Sequence, residues 1–153
     1  MTRRPVRLDG GPSAVFDRVV VPVASPEDAR TTATGLARYL PPGASVLVVN
    51  VVEKAGGAPD KASVEQLQAR AREAFDAFRE AFGDGDVETE IRYGTDVADA
   101  VFSAADDADA TAIAFTPRGG SRWVRLLTGD VALDLVTETD RPVLVLPDTD
   151  AAE

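Results

Sequence analysis

RVVVPVASPED, residues 18–28, decides the fold. From Arg18 to Val23 the chain is too uniformly apolar for a strand with one face in water, and it fits a strand covered on both faces, as in a parallel sheet. Ser25 then serves as an N-cap, Pro26 takes the first helical position, and Glu27 and Asp28 set acids against the positive end of the helix dipole. A buried strand running straight into a capped helix is a βα unit. The helix is expected to reach about Leu40 and to stop at Pro41, Pro42 and Gly43.

The same alternation repeats downstream. Ser45 to Val52 (SVLVVNVV) reads as a second buried strand, and Gly56, Gly57 and Pro59 mark a loop. Between Ser63 and Phe82, Leu67, Ala71, Phe75, Phe78 and Phe82 recur three or four apart, so they form one apolar stripe, with Arg70, Glu73, Asp76 and Arg79 on other faces. Val87 to Tyr93 (VETEIRY) alternates apolar and polar, as expected of a strand at an edge. Gly94, Thr95 and Asp96 open another helix, which turns Val97, Val101 and Phe102 inward and ends in the acidic run at 106–109, read as a solvated helix end. A strand at 111–115, a loop from Thr116 to Thr128, a helix from about Gly129 to Glu138 and a strand at 142–146 complete the order. Five strands alternating with four helices predict a single doubly wound parallel α/β sheet with helices on both faces. The domain is expected to span 16–148, between a flexible arm at 1–15 and an acidic tail at 149–153.

Composition excludes several chemistries. The 153 residues contain no Cys and no His, which removes thiol nucleophiles, disulfides, Cys/His zinc sites and a histidine base. No ligand set for another metal is apparent either. The net charge of −10 arises from 17 Asp and 9 Glu against 14 Arg and only 2 Lys. Such an acidic, lysine-poor surface suits a protein of a halophilic source, and it argues against binding nucleic acid or an anionic membrane. No stretch approaches the roughly 20 apolar residues of a membrane span, and Met1 to Arg18 lacks the apolar core of a secretory leader, so a cytoplasmic protein is expected.

The chain from Asp17 to Pro147 resembles the universal stress protein family. The resemblance rests on RVVVPV with Ala24 and Ser25, on Arg92, Tyr93 and Gly94, and most specifically on Thr116 to Val131 followed by RPVLVL at 141–146. It implies strand order 3-2-1-4-5 and a ligand crevice at the carboxyl ends of strands 1 and 4. Members that bind nucleotide carry a glycine loop, G-x2-G-x9-G followed by Ser or Thr, which brings backbone N–H groups and a helix N-terminus against phosphates.

Here that loop departs from the pattern. Its positions read Thr116, Gly119, Gly129 and Asp130, so a larger side chain stands at the first glycine and a carboxylate at the final hydroxyl; Ala24 stands where the family has an acid after strand 1. The resemblance assigns a nucleotide, if one binds, to Pro22, Val23, Ala24 and Val51 at the strand ends. It adds Thr116, Arg118, Gly119, Gly120, Ser121 and Arg122 in the loop, and Gly129, Asp130 and Val131 at the last helix. Arg118, Arg122 and Arg125 give this loop local positive charge suited to an anion, although pairing with the surrounding acids, Asp130 and Asp134 among them, is the preferred account of them.

The expected function is a regulatory stress-response module, not an enzyme, acting as a homodimer with weak or no nucleotide binding. The alternative is an ATP- or AMP-binding member that uses the altered loop 116–130, with ATP the candidate cofactor. Slow nucleotide hydrolysis involving Asp130 or Ser121 is a third reading. The homodimer is expected through the last strand, at Val143, Leu144, Val145 and Leu146, because this apolar edge has no internal charge or proline to blunt it and the family resemblance points the same way.

Overall fold

The computed structural model describes residues 15–53, 61–83, 85–117 and 129–147; the expected arm up to residue 14, the acidic tail and the loop arginines lie outside them. Within them run β1 (Arg18–Pro22), α1 (Pro26–Ala37), β2 (Ser45–Glu53), α2 (Lys61–Phe82) and β3 (Asp86–Gly94), followed by α3 (Val97–Ala108), β4 (Ala112–Phe115), α4 (Gly129–Thr137) and β5 (Val143–Val145). The strands form one parallel sheet in the order β3-β2-β1-β4-β5, as the resemblance implied.

β1 lies at the centre, and Val19, Val20 and Val21 are fully buried, which explains their unbroken apolar run. Successive strand side chains point to opposite faces. Val19, Val21, Val46 and Val48 therefore pack with Ala29 and Leu36 of α1 and Ala74 and Phe78 of α2. On the other face, Val20, Leu47, Val49 and Ile113 pack with Val101 and Ala105 of α3 and Leu135 of α4. α2 and α3 are held largely by the stripes their periodicity announced. Phe78 is fully buried and stacks on Phe82 at 5.4 Å between ring centroids.

One residue of the α2 stripe departs from expectation: Leu67 is 41% exposed. The residues of this helix in the core cluster begin at Ala71, so Leu67 stands one turn before the packed face starts. β3 is the edge strand that its alternation predicted, with Asp86, Glu88 and Tyr93 exposed and the rest of the strand half-buried.

The acidic end of α3 is more than a solvated helix end. Asp107 binds Arg92 of β3 at 2.7 Å, and Asp106 binds Arg141, just before β5, at 2.9 Å. One helix thereby clasps segments from opposite edges of the sheet. Arg92 also meets Glu90 at 2.6 Å and Ser103 at 3.1 Å. The bond to Asp107, followed by that to Glu90, holds the Arg92 guanidinium above its ordinary value, so it stays charged at every pH the fold meets.

Candidate functional site

β1 pairs with β2 on one side and β4 on the other, so the winding reverses beside it, and the carboxyl ends of β1 and β4 are where a sheet of this kind is expected to form its ligand crevice. β1 ends at Pro22; Val23 is buried, Ala24 half-buried, and Val51 is buried at the carboxyl end of β2. Thr116 directly follows β4 and is fully buried. Gly129 and Asp130 begin α4, and Val131 packs in the second core layer. The remaining expected ligand residues, Arg118, Gly119, Gly120, Ser121 and Arg122, lie outside the described residues, as does the side chain of Asp130.

Apart from Thr116, the side chains that bond to one another beneath these strand ends are ones that the sequence did not single out as site residues. Ser25 caps α1, its Oγ accepting from the Asp28 N–H at 3.1 Å. The Asp28 carboxylate reaches back and accepts from the Ala24 N–H at 2.8 Å, a reciprocal arrangement like a capping box displaced by one residue. Asp28 is fully buried. One turn later Thr32, also fully buried, places its hydroxyl 3.4 Å from Asp28 Oδ1 and 2.9 Å from the Thr116 hydroxyl. A hydroxyl has a single proton, so both contacts are met together when Thr116 donates to Thr32 and Thr32 donates to the carboxylate. On the neighbouring strand the buried Asn50 amide donates to the Val23 carbonyl at 2.9 Å.

Side chains thus tie the ends of β2, β1 and β4 into one polar cluster beneath the crevice. Apart from the half-buried Ala24 N–H, the ties are between groups removed from water, where an unmade hydrogen bond costs about 1–3 kcal/mol. The sequence did contain a signal. Asp28 and Thr32 stand at i and i+4 in line with Leu36, so a polar pair occupies the stripe that should face the core.

Thr116 differs from its expected placement. At the first glycine position of the loop motif it was expected to face a ligand, but its side chain is enclosed and bonded to α1. The last-strand residues also separate. Leu146 is buried in the chain's own core, where Gly35 of α1 would bring a Cβ within 4.0 Å of it, and its N–H donates to the Phe115 carbonyl. Val145 is 48% exposed, and Val143 and Leu144 are half-buried.

Two open grooves lie elsewhere. One, of about 620 Å³, runs past Arg18, Leu47, Arg79, Glu88 and Asp107, and the other, of about 250 Å³, lies at Tyr93, Gly94 and Asp96. Arg18 is already engaged, donating to the Ala108 carbonyl and to Ser45 and pairing with Glu88 at 2.9 Å. Among the described residues no cluster of three metal-ligating side chains occurs. No helix among them is long and apolar enough to cross a membrane.

Comparison with known proteins agrees with this geometry. The model of the universal stress protein family matches residues 16–147. The structure of a universal stress protein from Archaeoglobus fulgidus superposes with a TM-score of 0.63 at 22% identity, covering 86% of this chain and 98% of that one. An Archaeoglobus fulgidus universal stress protein in complex with dAMP gives 0.59 at 23% identity over 86% and 98% of the chains. A universal stress protein in complex with cAMP gives 0.60 at 21% identity over 87% and 98%. At such identities the likeness is one of fold. No curated protein matches the sequence.

Proposed function

The chain belongs to the universal stress protein family, and from that premise we propose that it is a non-catalytic regulatory module of the cytoplasm that works as a homodimer and holds an adenine nucleotide weakly at the carboxyl ends of β1 and β4. The observation that carries this reading is the cluster beneath the crevice. Asp28, Thr32 and Thr116 are enclosed and bonded to one another or to backbone, so they support a binding surface rather than act on a bound molecule. The complexes of two structural relatives with dAMP and cAMP favour an adenine nucleotide as the ligand class.

Weak affinity follows from charge. Asp130 stands at the motif's hydroxyl position, and two unit charges 4 Å apart repel by about 1 kcal/mol in water and about 4 kcal/mol at a protein surface. Ala24 offers no carboxylate to hold a ribose or base. Calorimetry with dAMP, cAMP and ATP in molar salt tests the reading. A dissociation constant of roughly 100 μM or weaker, about −5.5 kcal/mol, is expected, with no loss of nucleotide over hours. Low-micromolar affinity, or measurable turnover, refutes it.

The dimer is supported by β5, a sheet edge on which Val145 stands exposed and no charge falls between Pro142 and Leu146. An apolar edge of this kind calls for a cover, and a second copy paired antiparallel about a two-fold axis supplies one.

A further inference from the structure

β1 and β4 pair in register only at Val19 with Ala112 and Val20 with Ile113. On its other side β1 stays paired with β2 through Pro22 and Val49, and the Val23 N–H still donates to the Val49 carbonyl at 2.9 Å. On the β2 side the backbone ladder is continuous, while toward β4 the paired register ends at Val20, because Pro22 has no N–H to donate. Beyond that point a run of side-chain bonds links the end of β1 to the end of β4: Ala24 N–H to Asp28, Asp28 to Thr32, and Thr32 to Thr116.

We propose that Asp28, Thr32 and Thr116 form a bracket across the switch point, positioning the start of the 116–130 loop relative to β1. On this view Thr116 replaces the motif's first glycine without obstructing the ligand, because its side chain occupies space under the crevice and not within it. The hydroxyl is the part that matters. A glycine there would leave Thr32 without its 2.9 Å partner and release the loop's first residue. The weakness of nucleotide binding then belongs to Asp130 and Ala24 and not to Thr116. The effect on affinity rests on the reading of the crevice as a nucleotide site; the bracket itself does not.

The test uses the full chain, with dAMP as the probe in molar salt. Thr116→Ser keeps the hydroxyl and should bind dAMP as the wild type does. Thr116→Val keeps the shape without the hydroxyl and should bind about fivefold more weakly, the factor an ordinary hydrogen bond is worth. Thr32→Val, which also removes the contact to Asp28, should bind at least as weakly, and the double variant should be no weaker than Thr32→Val, since the bond to Thr116 is already lost in it. Thr116→Gly, the change toward the family motif, should not tighten binding.

Tighter binding by Thr116→Gly, or unchanged binding by Thr116→Val, overturns the proposal. If the wild type binds no dAMP, the nucleotide reading above fails by itself and the bracket is judged by two other results. Thr116→Gly must then still fail to create binding, and the melting-temperature losses of Thr32→Val and Thr116→Val must combine to less than their sum. Binding gained by the glycine variant, or strictly additive losses, sinks it. The melts also serve if the glycine variant does not fold.

Discussion

Replacing Asp28 by Ala should be among the most costly single polar changes in this chain. The carboxylate is fully buried, accepts the Ala24 N–H at 2.8 Å and lies 3.4 Å from the Thr32 hydroxyl. A hydrogen bond to a charged acceptor contributes about 1.5–3 kcal/mol, and the longer Thr32 contact falls at or below the low end of that range. Together they amount to about 3 kcal/mol, since alanine offers the half-buried Ala24 N–H no substitute. In a domain of this size about 3 kcal/mol corresponds to a fall in Tm of roughly 6–12 °C. Losing one negative charge from a total of −10 acts the other way by easing self-repulsion, so the comparison is made in molar salt, where that gain is screened. Urea unfolding followed by circular dichroism is the assay: the midpoint should fall with the slope unchanged, and Asp28→Asn, which retains one acceptor oxygen, should lose about half as much. A loss under about 0.5 kcal/mol for the alanine variant would mean that the carboxylate holds neither the strand end nor α1, and the account of the crevice floor would be wrong.

Other consequences are checked by similar means. Val145→Asp sets two carboxylates near the proposed two-fold axis and should give monomers by light scattering where the wild type gives dimers; a wild type already monomeric at tens of micromolar would discard edge pairing. Phe78→Ala removes a fully buried ring from the layer between α2 and the sheet and should cost about 3–5 kcal/mol in urea unfolding, whereas Leu67→Ala, at a 41% exposed site on the same stripe, should cost under about 1 kcal/mol. Thermal melts should rise between 0.1 and 1 M salt, as the Debye length falls from about 10 to about 3 Å around a surface of net charge −10; a flat or falling midpoint would remove the case for an acidic surface adapted to salt.

Much of this protein was legible in one dimension. An apolar run such as RVVVPV has only one economical reading, burial on both faces, and VETEIRY announced by its alternation a less completely buried strand at the sheet edge. Ser25, Pro26 and the first-turn acids announced α1 because capping depends on neighbours two or three residues away. The strand order came from resemblance, since periodicity by itself does not say which strands are neighbours. The site was less legible for the same physical reason. A periodic pattern tells which side of its own element a residue lies on, but not which residue from another element faces it. Asp28 looked like an ordinary helix-dipole acid until α1 packed across the ends of β1 and β4 and brought Thr116, 84 residues from Thr32, to 2.9 Å from it. Thr116 looked like an obstruction because the motif suggested which way it should face, whereas the tertiary structure turned it under the crevice. Val145 and Leu146 are neighbours in one apolar strand end, yet one is half exposed and the other enclosed, because a strand alternates its faces and α1 covers the face that carries Leu146. Sequence determined the elements and their open edges; the packing of α1 against the strand ends decided which polar groups meet, and hence what the crevice is made of.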